Sequence, residues 1–305
     1  MNTEILDEFK EYLVSEDCSF LTVRGYCSDM QLFARWFEQT NGDPFAVQSV
    51  TPSDVREYRQ HLQTTQRRKA STVNRKLAAL STFMKWAKET HQIESDPTEK
   101  IKAIREQEHA PRYLDKKEQF ALQRAIEKDL QIAKLRYPKR WRGRQRDAAL
   151  VTFLLHTGLR LSELTALRLG DLQITERKGN VLVRNGKGGK QRNVPLNTEA
   201  RKAMQEWLDV RPVTRSDSIW VAVESESQGL SGRAIQRTLQ RYAQLAGLEL
   251  LTPHVCRHTF AKNLVNQDVG IEKVAMLLGH ANLNTTRLYI TPDEHDLESA
   301  VEKLN

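Results

Sequence analysis

Residues 147–164, DAALVTFLLHTGLRLSEL, decide how this chain is read. The first part, DAALVTFLLHT, is apolar nearly all round, which predicts a helix buried on every side. Gly158 ends it, because glycine readily takes the left-handed conformation that closes a helix. Arg160 follows at once, and a guanidinium carried out of a buried helix needs an acidic partner or an anionic ligand. Glu163, one turn on in a helical stretch over 160–167, is placed to orient it. A buried Arg–Glu pair and an arginine aimed at an anion both satisfy this pattern, so the choice falls to the rest of the chain.

Downstream, residues 179–196, GNVLVRNGKGGKQRNVPL, alternate on either side of a glycine-rich tip and predict a β-hairpin. Lys187 and Lys190 sit in that tip, where the glycines allow close backbone approach to a ligand. The tip lacks the Gly-x-x-x-x-Gly-Lys-Ser/Thr pattern of a nucleotide-phosphate loop. Ser231 to Ala246 is amphipathic, with Ile235, Leu239 and Tyr242 on one side. Arg233, Arg237 and Arg241 repeat every four residues on the other, as a grip for a duplex backbone or as a solvated face. In 252–259, TPHVCRHT, Pro253 opens a helix on which His254 and Arg257 share a face. They offer a proton-transfer group and a planar fork for phosphate oxygens. His254, Cys256 and His258 match no structural zinc spacing, and Cys256 reads as a small buried residue. In LLGHANLNTTRLYI (277–290), His280 sits at a helix end and Tyr289 lies in a short helical piece.

Upstream, the first hundred residues read as helices. Thr22 is placed to cap a helix with Tyr26, Met30, Phe33 and Phe37 on one face, broken at Asn41-Gly42-Asp43-Pro44. Pro52 opens a second helix to about Leu62. Ser71 is placed to cap a third, with Val73, Leu77, Leu80, Met84 and Ala87 along one stripe. The polar, proline-containing stretch 106–113 is a linker, dividing a helical domain (1–105) from a second domain (114–305).

Charge is unevenly shared. The whole chain is +8, but residues 1–110 carry 15 Lys/Arg against 17 Asp/Glu and residues 111–305 carry 32 against 22. Acid-free basic windows recur at 58–88 (which includes Arg75 and Lys76), 131–146 and 177–198. Separate basic fields of this kind suit a polyphosphate ligand, since each neutralised phosphate releases counterions. The acidic, amphipathic N-terminus does not resemble a secretory leader, no apolar run approaches bilayer length, and three cysteines make no disulfide framework. A cytosolic protein with no membrane association is expected.

Jointly, Arg160, Lys187, His254, Arg257, His280 and Tyr289 supply every role of a phosphoryl transfer that uses no metal. Two guanidiniums neutralise a five-coordinate phosphate, a phenol oxygen attacks in line, and lysine and histidine move protons. No acidic cluster is placed to hold paired Mg²⁺ ions. These segments resemble the tyrosine recombinase (phage integrase) family, particularly its compact Xer-like members. TGLRLSEL resembles the first arginine box, NGKGGKQRNVPL the lysine hairpin, TPHVCRHTFA the His-x-x-Arg box and LLGHANLNTTRLYI the His and nucleophile box. The four agree in order and gaps over nearly the whole chain.

The resemblance implies a mainly α, two-domain DNA clamp: a helical, SAM-like core-binding domain and a mostly α catalytic domain with a small antiparallel sheet. It implies that Tyr289 forms a 3′-phosphotyrosyl bond and releases a 5′-hydroxyl. Arg160 and Arg257 then stabilise the phosphorane, Lys187 protonates the leaving oxygen, His254 assists deprotonation of the tyrosine, and His280 bonds a non-bridging oxygen. Neither cofactor nor ATP is implied. The implied partners are double-stranded DNA at a specific site, in the nucleoid, and three further copies in a tetramer on two sites. Residues 293–305 would then dock on a neighbour. A type IB topoisomerase or a catalytically silent DNA-binding regulator is the alternative. Residues 131–146, QIAKLRYPKRWRGRQR, depart from the compact pattern; they are expected as an extra DNA-contacting loop anchored by Tyr137 and Trp141, or as a disordered insert.

Overall fold

The computed structural model describes residues 3–106, 111–138, 140–184, 191–223, 229–280, 282–287 and 289. The chain forms two compact units, Met1–Glu108 and His109–Asn305, each around an apolar cluster of its own.

The first unit holds α1 (Thr3–Ser15), α2 (Phe20–Asn41), α3 (Pro52–Thr64) and α4 (Ala70–Glu89). The apolar stripes do what their spacing predicts: Met30, Phe33 and Phe37 of α2 and Val73, Leu80, Met84 and Ala87 of α4 are buried. Aromatic edges lock the bundle, with Phe33 against Tyr58 and Phe9 against Phe83, both at 5.0 Å between ring centroids. Two helix starts differ from expectation. Ser19, not Thr22, caps α2, its hydroxyl accepting from the Thr22 amide at 3.2 Å. Helix α4 begins at Ala70 behind Lys69, with no side-chain cap, so Ser71 lies inside it. At α3 the Thr51–Asp54 capping box and Pro52 in the first turn act together.

The second unit begins with α5 (Lys116–Arg136) and α6 (Trp141–Thr157), followed by the short α7 (Leu161–Ala166). A three-stranded antiparallel sheet comes next: β1 (Leu172–Ile174), β2 (Gly179–Val183) and β3 (Arg192–Pro195). Val181 faces Val194 and Val183 faces Arg192 across the hairpin. The chain continues through α8 (Thr198–Leu208), α9 (Gly232–Ala246), α10 (Pro253–Val265), α11 (Ile271–Leu278) and α12 (Asn284–Arg287). As expected from its composition, α6 is the central element, with Ala149, Leu150, Val151, Phe153 and Leu154 all buried. No helix among the described residues is long and apolar enough to cross a membrane.

Most of the described residues in 131–146 are helical, where a loop or a disordered insert was expected. Residues 131–136 end α5 and residues 141–146 open α6. Their charge is partly spent inside the unit: Arg146 pairs with Asp147 at 2.7 Å, and Arg144 lies 3.9 Å from Asp129. Two acids outside the basic window thus partner two of its arginines. Lys134 lies over the Trp141 ring at 5.2 Å, linking the two ends of the connection. Tyr137 is 55% exposed and does not serve as an anchor.

Candidate active site

Two helix ends build the site. Helix α6 stops at Gly158 (φ 61°) and α11 at Gly279 (φ 66°), both left-handed. Neither position tolerates a side chain: a Cβ on Gly158 would lie 2.5 Å from Phe260 Cδ1, and one on Gly279 2.8 Å from Arg192 Nη1. The last carbonyls of a helix have no partner within it and carry the negative end of its dipole. Here they are met by guanidiniums. Arg257 donates to Gly158 O at 2.8 Å and to Leu278 O at 2.7 Å. Arg160 donates to Gly279 O at 3.1 Å, and Arg192 to Leu277 O at 2.9 Å.

Glu163 binds two of the three arginines together. Its Oε1 accepts from Arg160 Nη1 at 2.8 Å, and both its oxygens accept from Arg192 at 2.8 Å. Oε2 also accepts the Arg160 amide. Burial disfavours the ionised carboxyl, but the hydrogen bonds from Arg192 and the Arg160 amide outweigh it and hold the group at about 2. The orienting role expected of Glu163 is thus seen, with a second arginine added. Desolvation, and then the neighbouring Arg160 charge, lower Arg257 to about 10, which leaves it cationic at neutral pH.

Tyr289 sits against this cationic wall. It is 5% exposed, in a small apolar cluster with Ala261, Val274 and Leu278. Burial raises its phenol above the ordinary value, while the Arg257 and Arg160 charges pull the other way. The His280 ring stacks on the phenol at 6.4 Å, and its Nδ1 is hydrogen-bonded to Thr286 Oγ1 at 2.7 Å. Burial first, then the charge of Arg257, Arg160 and Arg192, holds His280 at about 4.

Four of the six expected residues, Arg160, Arg257, His280 and Tyr289, therefore come together. His254 lies on the same helix as Arg257 but is exposed. The histidine bonded to the phenol is His258, whose Nδ1 lies 2.8 Å from Tyr289 Oη. Lys187 and Lys190 lie outside the described residues, as does the segment 293–305. Cys256 is fully buried and desolvation pushes its thiol up to about 12, so it is inert packing.

Sequence reasoning missed His258 and Arg192. His258 stands four residues after His254, so the two share a helix face. Arg192 stands two before the buried Val194, and a charge in phase with a buried strand position demands a partner.

Among the residues expected to contact a duplex, Arg233 and Arg237 are exposed along α9. Two others need correction. Arg241 is turned inward, donating to Asp129 at 2.9 Å and Asp147 at 3.2 Å and lying over the Tyr242 ring at 4.4 Å. Lys76 is buried and paired with the buried Asp29 at 2.7 Å. Each is a basic residue claimed by an acid distant in sequence. Arg75 bonds the same Asp29, though half of its side chain stays exposed.

Residues 122–295 match the Phage integrase family, and residues 6–91 match the phage integrase N-terminal SAM-like domain. The chain is 30% identical over 297 residues to tyrosine recombinase XerD of Ralstonia nicotianae, covering 94% of this chain and 89% of that one. It is 25% identical over 308 residues to the TnP I resolvase of Bacillus thuringiensis, covering 99% and 100%. Its fold is similar to that of XerH site-specific recombinase bound to a palindromic difH substrate in a post-cleavage complex (TM-score 0.75, 22% identity, 93% of this chain and 80% of that one). Four boxes in order, a shared two-domain fold and family matches over both domains lead to one conclusion: this chain belongs to the phage integrase family and is a Xer-like tyrosine recombinase.

Proposed function

We propose that this chain is a site-specific DNA recombinase that breaks and rejoins strands through a 3′-phosphotyrosyl bond to Tyr289, without metal or ATP. The observation that carries the reading is the convergence of Tyr289 with Arg160 and Arg257 at the ends of two helices. A scissile phosphate entering here would meet two guanidiniums already held by backbone carbonyls and Glu163. Preorganised donors of this kind stabilise the charge that develops on a phosphorane at no reorganisation cost. The Tyr289 oxygen attacks phosphorus, and the 5′-oxygen leaves with a proton from Lys187. A 5′-hydroxyl of a partner duplex then reverses the step. The ester conserves the bond energy, so nothing in the cycle consumes a nucleotide.

His280 is suited to a non-bridging oxygen: it is neutral at physiological pH and fixed by Thr286. Arg233 and Arg237 are suited to duplex phosphates outside the reacting one. Exchange between two duplexes needs four nucleophiles, which supports a tetramer on two sites, with 293–305 as its docking segment. An action on double-stranded DNA supports a cytoplasmic, nucleoid-associated location.

The test is capture of a covalent adduct. A library of nicked duplexes with a randomised core is incubated with the protein, and DNA that stays attached in detergent is recovered and sequenced. Wild type is expected to select one sequence class and give a protease-sensitive, slow-migrating adduct, while Tyr289→Phe gives none. Equal adduct from Tyr289→Phe removes the proposal. The selected duplex, supplied in two lengths, then separates strand exchange from relaxation by a single protomer.

A further inference from the structure

Tyr289 carries a proton that must go somewhere when its oxygen attacks, and a specific atom faces it. His258 Nδ1 lies 2.8 Å from Tyr289 Oη, with the two rings 5.4 Å apart between centroids. The other two imidazoles nearby are worse placed. His254 is exposed, and its ring lies 6.3 Å from that of His258, with no hydrogen bond among the described residues. His280 stacks on the phenol face, its rings only 11° from parallel, and commits its Nδ1 to Thr286.

We infer that His258 is the base that takes the Tyr289 proton as the phenol attacks, and the acid that returns it on rejoining. This rests on the strand-transfer reading above. In the forward step the O–H bond of Tyr289 breaks as an N–H bond forms at His258 Nδ1, and an Oη–P bond forms. The P–O5′ bond breaks, and that oxygen takes its proton from a different group, so His258 ends the step as imidazolium. When the 5′-hydroxyl of the incoming strand attacks, it forms the new P–O5′ bond and gives its proton back to the group that supplied one in the forward step, while the P–Oη bond breaks and the tyrosyl oxygen recovers its proton from Nδ1.

The surroundings fit this role. His258 is half-buried on α10, flanked on its own helix by His254 and Arg257 and faced by Tyr289 and His280 from the C-terminal segment. Arg160 and Arg192 complete the cationic side of the pocket. Burial, then the neighbouring His254 and Arg257, lowers its pKa to about 4. The ring is therefore neutral in the resting protein and can present a lone pair at Nδ1 when Nε2 carries the hydrogen. A phosphate between the arginines offsets their charge, so the imidazole becomes more basic as the substrate binds.

The test uses the duplex selected by wild type, made with oxygen or with sulfur at the bridging 5′ position. Sulfur leaves without a proton, so it relieves loss of the leaving-group acid and not loss of the nucleophile's base. His258→Ala is expected to form adduct about 10²-fold or more slowly on both substrates. Lys187→Ala is expected to recover on sulfur. His258→Gln, which can still bond the phenol but cannot take its proton, is expected to be as slow as His258→Ala. Wild-type rates in His258→Ala, rescue of it by sulfur, or full activity in His258→Gln would overturn the assignment. A second measurement needs neither DNA nor a His258 variant. The ¹⁵N resonance of His258 Nδ1 should shift between wild type and Tyr289→Phe, and an unchanged resonance also overturns it. If wild type itself forms no adduct, the strand-transfer reading fails as well. Failure confined to the His258 variants touches this inference alone.

Discussion

Glu163 is the residue on which the arrangement of charges turns. It is 4% exposed and accepts hydrogen bonds from Arg160 and Arg192. Removing one member of a buried ion pair leaves the others uncompensated and costs about 3 kcal/mol. Glu163→Gln is therefore expected to lower stability by about that amount at neutral pH, as read from denaturant midpoints. The pH dependence has a definite sign. A carboxyl held at about 2 in the folded chain, against an ordinary value of 4.5, adds stability that is full above pH 4.5. That stability is lost as pH falls towards 2. The stability difference between wild type and Glu163→Gln should thus shrink across this window, and a difference independent of pH would mean that the carboxylate charge is not what holds the arginines. Glu163 was legible in the sequence because it stands one turn from Arg160. Arg192 was not, because its partner lies 29 residues away and only its phase with Val194 hinted that it points inward. His258 was hidden by its place beside Arg257, since neighbours in sequence diverge on a helix and the relevant spacing was the four residues back to His254.

At the scale of elements, α9 shows how a periodic stripe misleads. Arg233, Arg237 and Arg241 recur every four residues, yet a helix face of this length passes from solvent into the unit. Arg233 and Arg237 remain exposed, while Arg241 reaches Asp129 on α5 and Asp147 on α6. Periodicity marks the face but cannot show where other helices cover it. The same reason explains Lys76, claimed by Asp29 from α2, and the window 131–146, of whose arginines Arg144 and Arg146 meet Asp129 and Asp147. Helix identity was more legible than helix ends: the buried stripes of α2, α4 and α6 follow their spacing, whereas the starts of α2, α4 and α6 did not. The three arginines separate two outcomes. Arg233→Ala with Arg237→Ala should leave stability within ~0.5 kcal/mol and reduce the slope of log binding constant against log salt by up to about 1.8, or 0.9 per phosphate. Arg241→Ala should leave that slope unchanged and cost about 1–2 kcal/mol, moderated because Arg144 and Arg146 still serve the two aspartates. A salt slope that moves with Arg241 instead would place that side chain on DNA.

For the whole molecule, the division into two units has a functional consequence. Every residue given a chemical role above, from Arg160 to Tyr289, lies within His109–Asn305. That unit has its own apolar core around α6, and among the described residues the hydrogen bonds that fix Arg160, Arg257, Glu163 and Tyr289 come from within it. Its residues also carry the positive excess, 32 Lys/Arg against 22 Asp/Glu over 111–305, so it should remain on DNA by phosphate neutralisation alone. A fragment of residues 109–305 is accordingly expected to fold cooperatively and to form the Tyr289 adduct at saturating DNA within about tenfold of the full chain, a difference of ~1.4 kcal/mol in barrier. Its deficit should be in affinity. Half of the family's two-domain architecture is gone, and a grip on DNA far from the scissile phosphate strengthens ground and transition states alike. Single-turnover adduct formation against DNA concentration separates the two quantities. A fragment that binds but reacts a thousandfold more slowly would show that the N-terminal unit assembles the site, and the self-contained geometry of the second unit would not then be the reacting one.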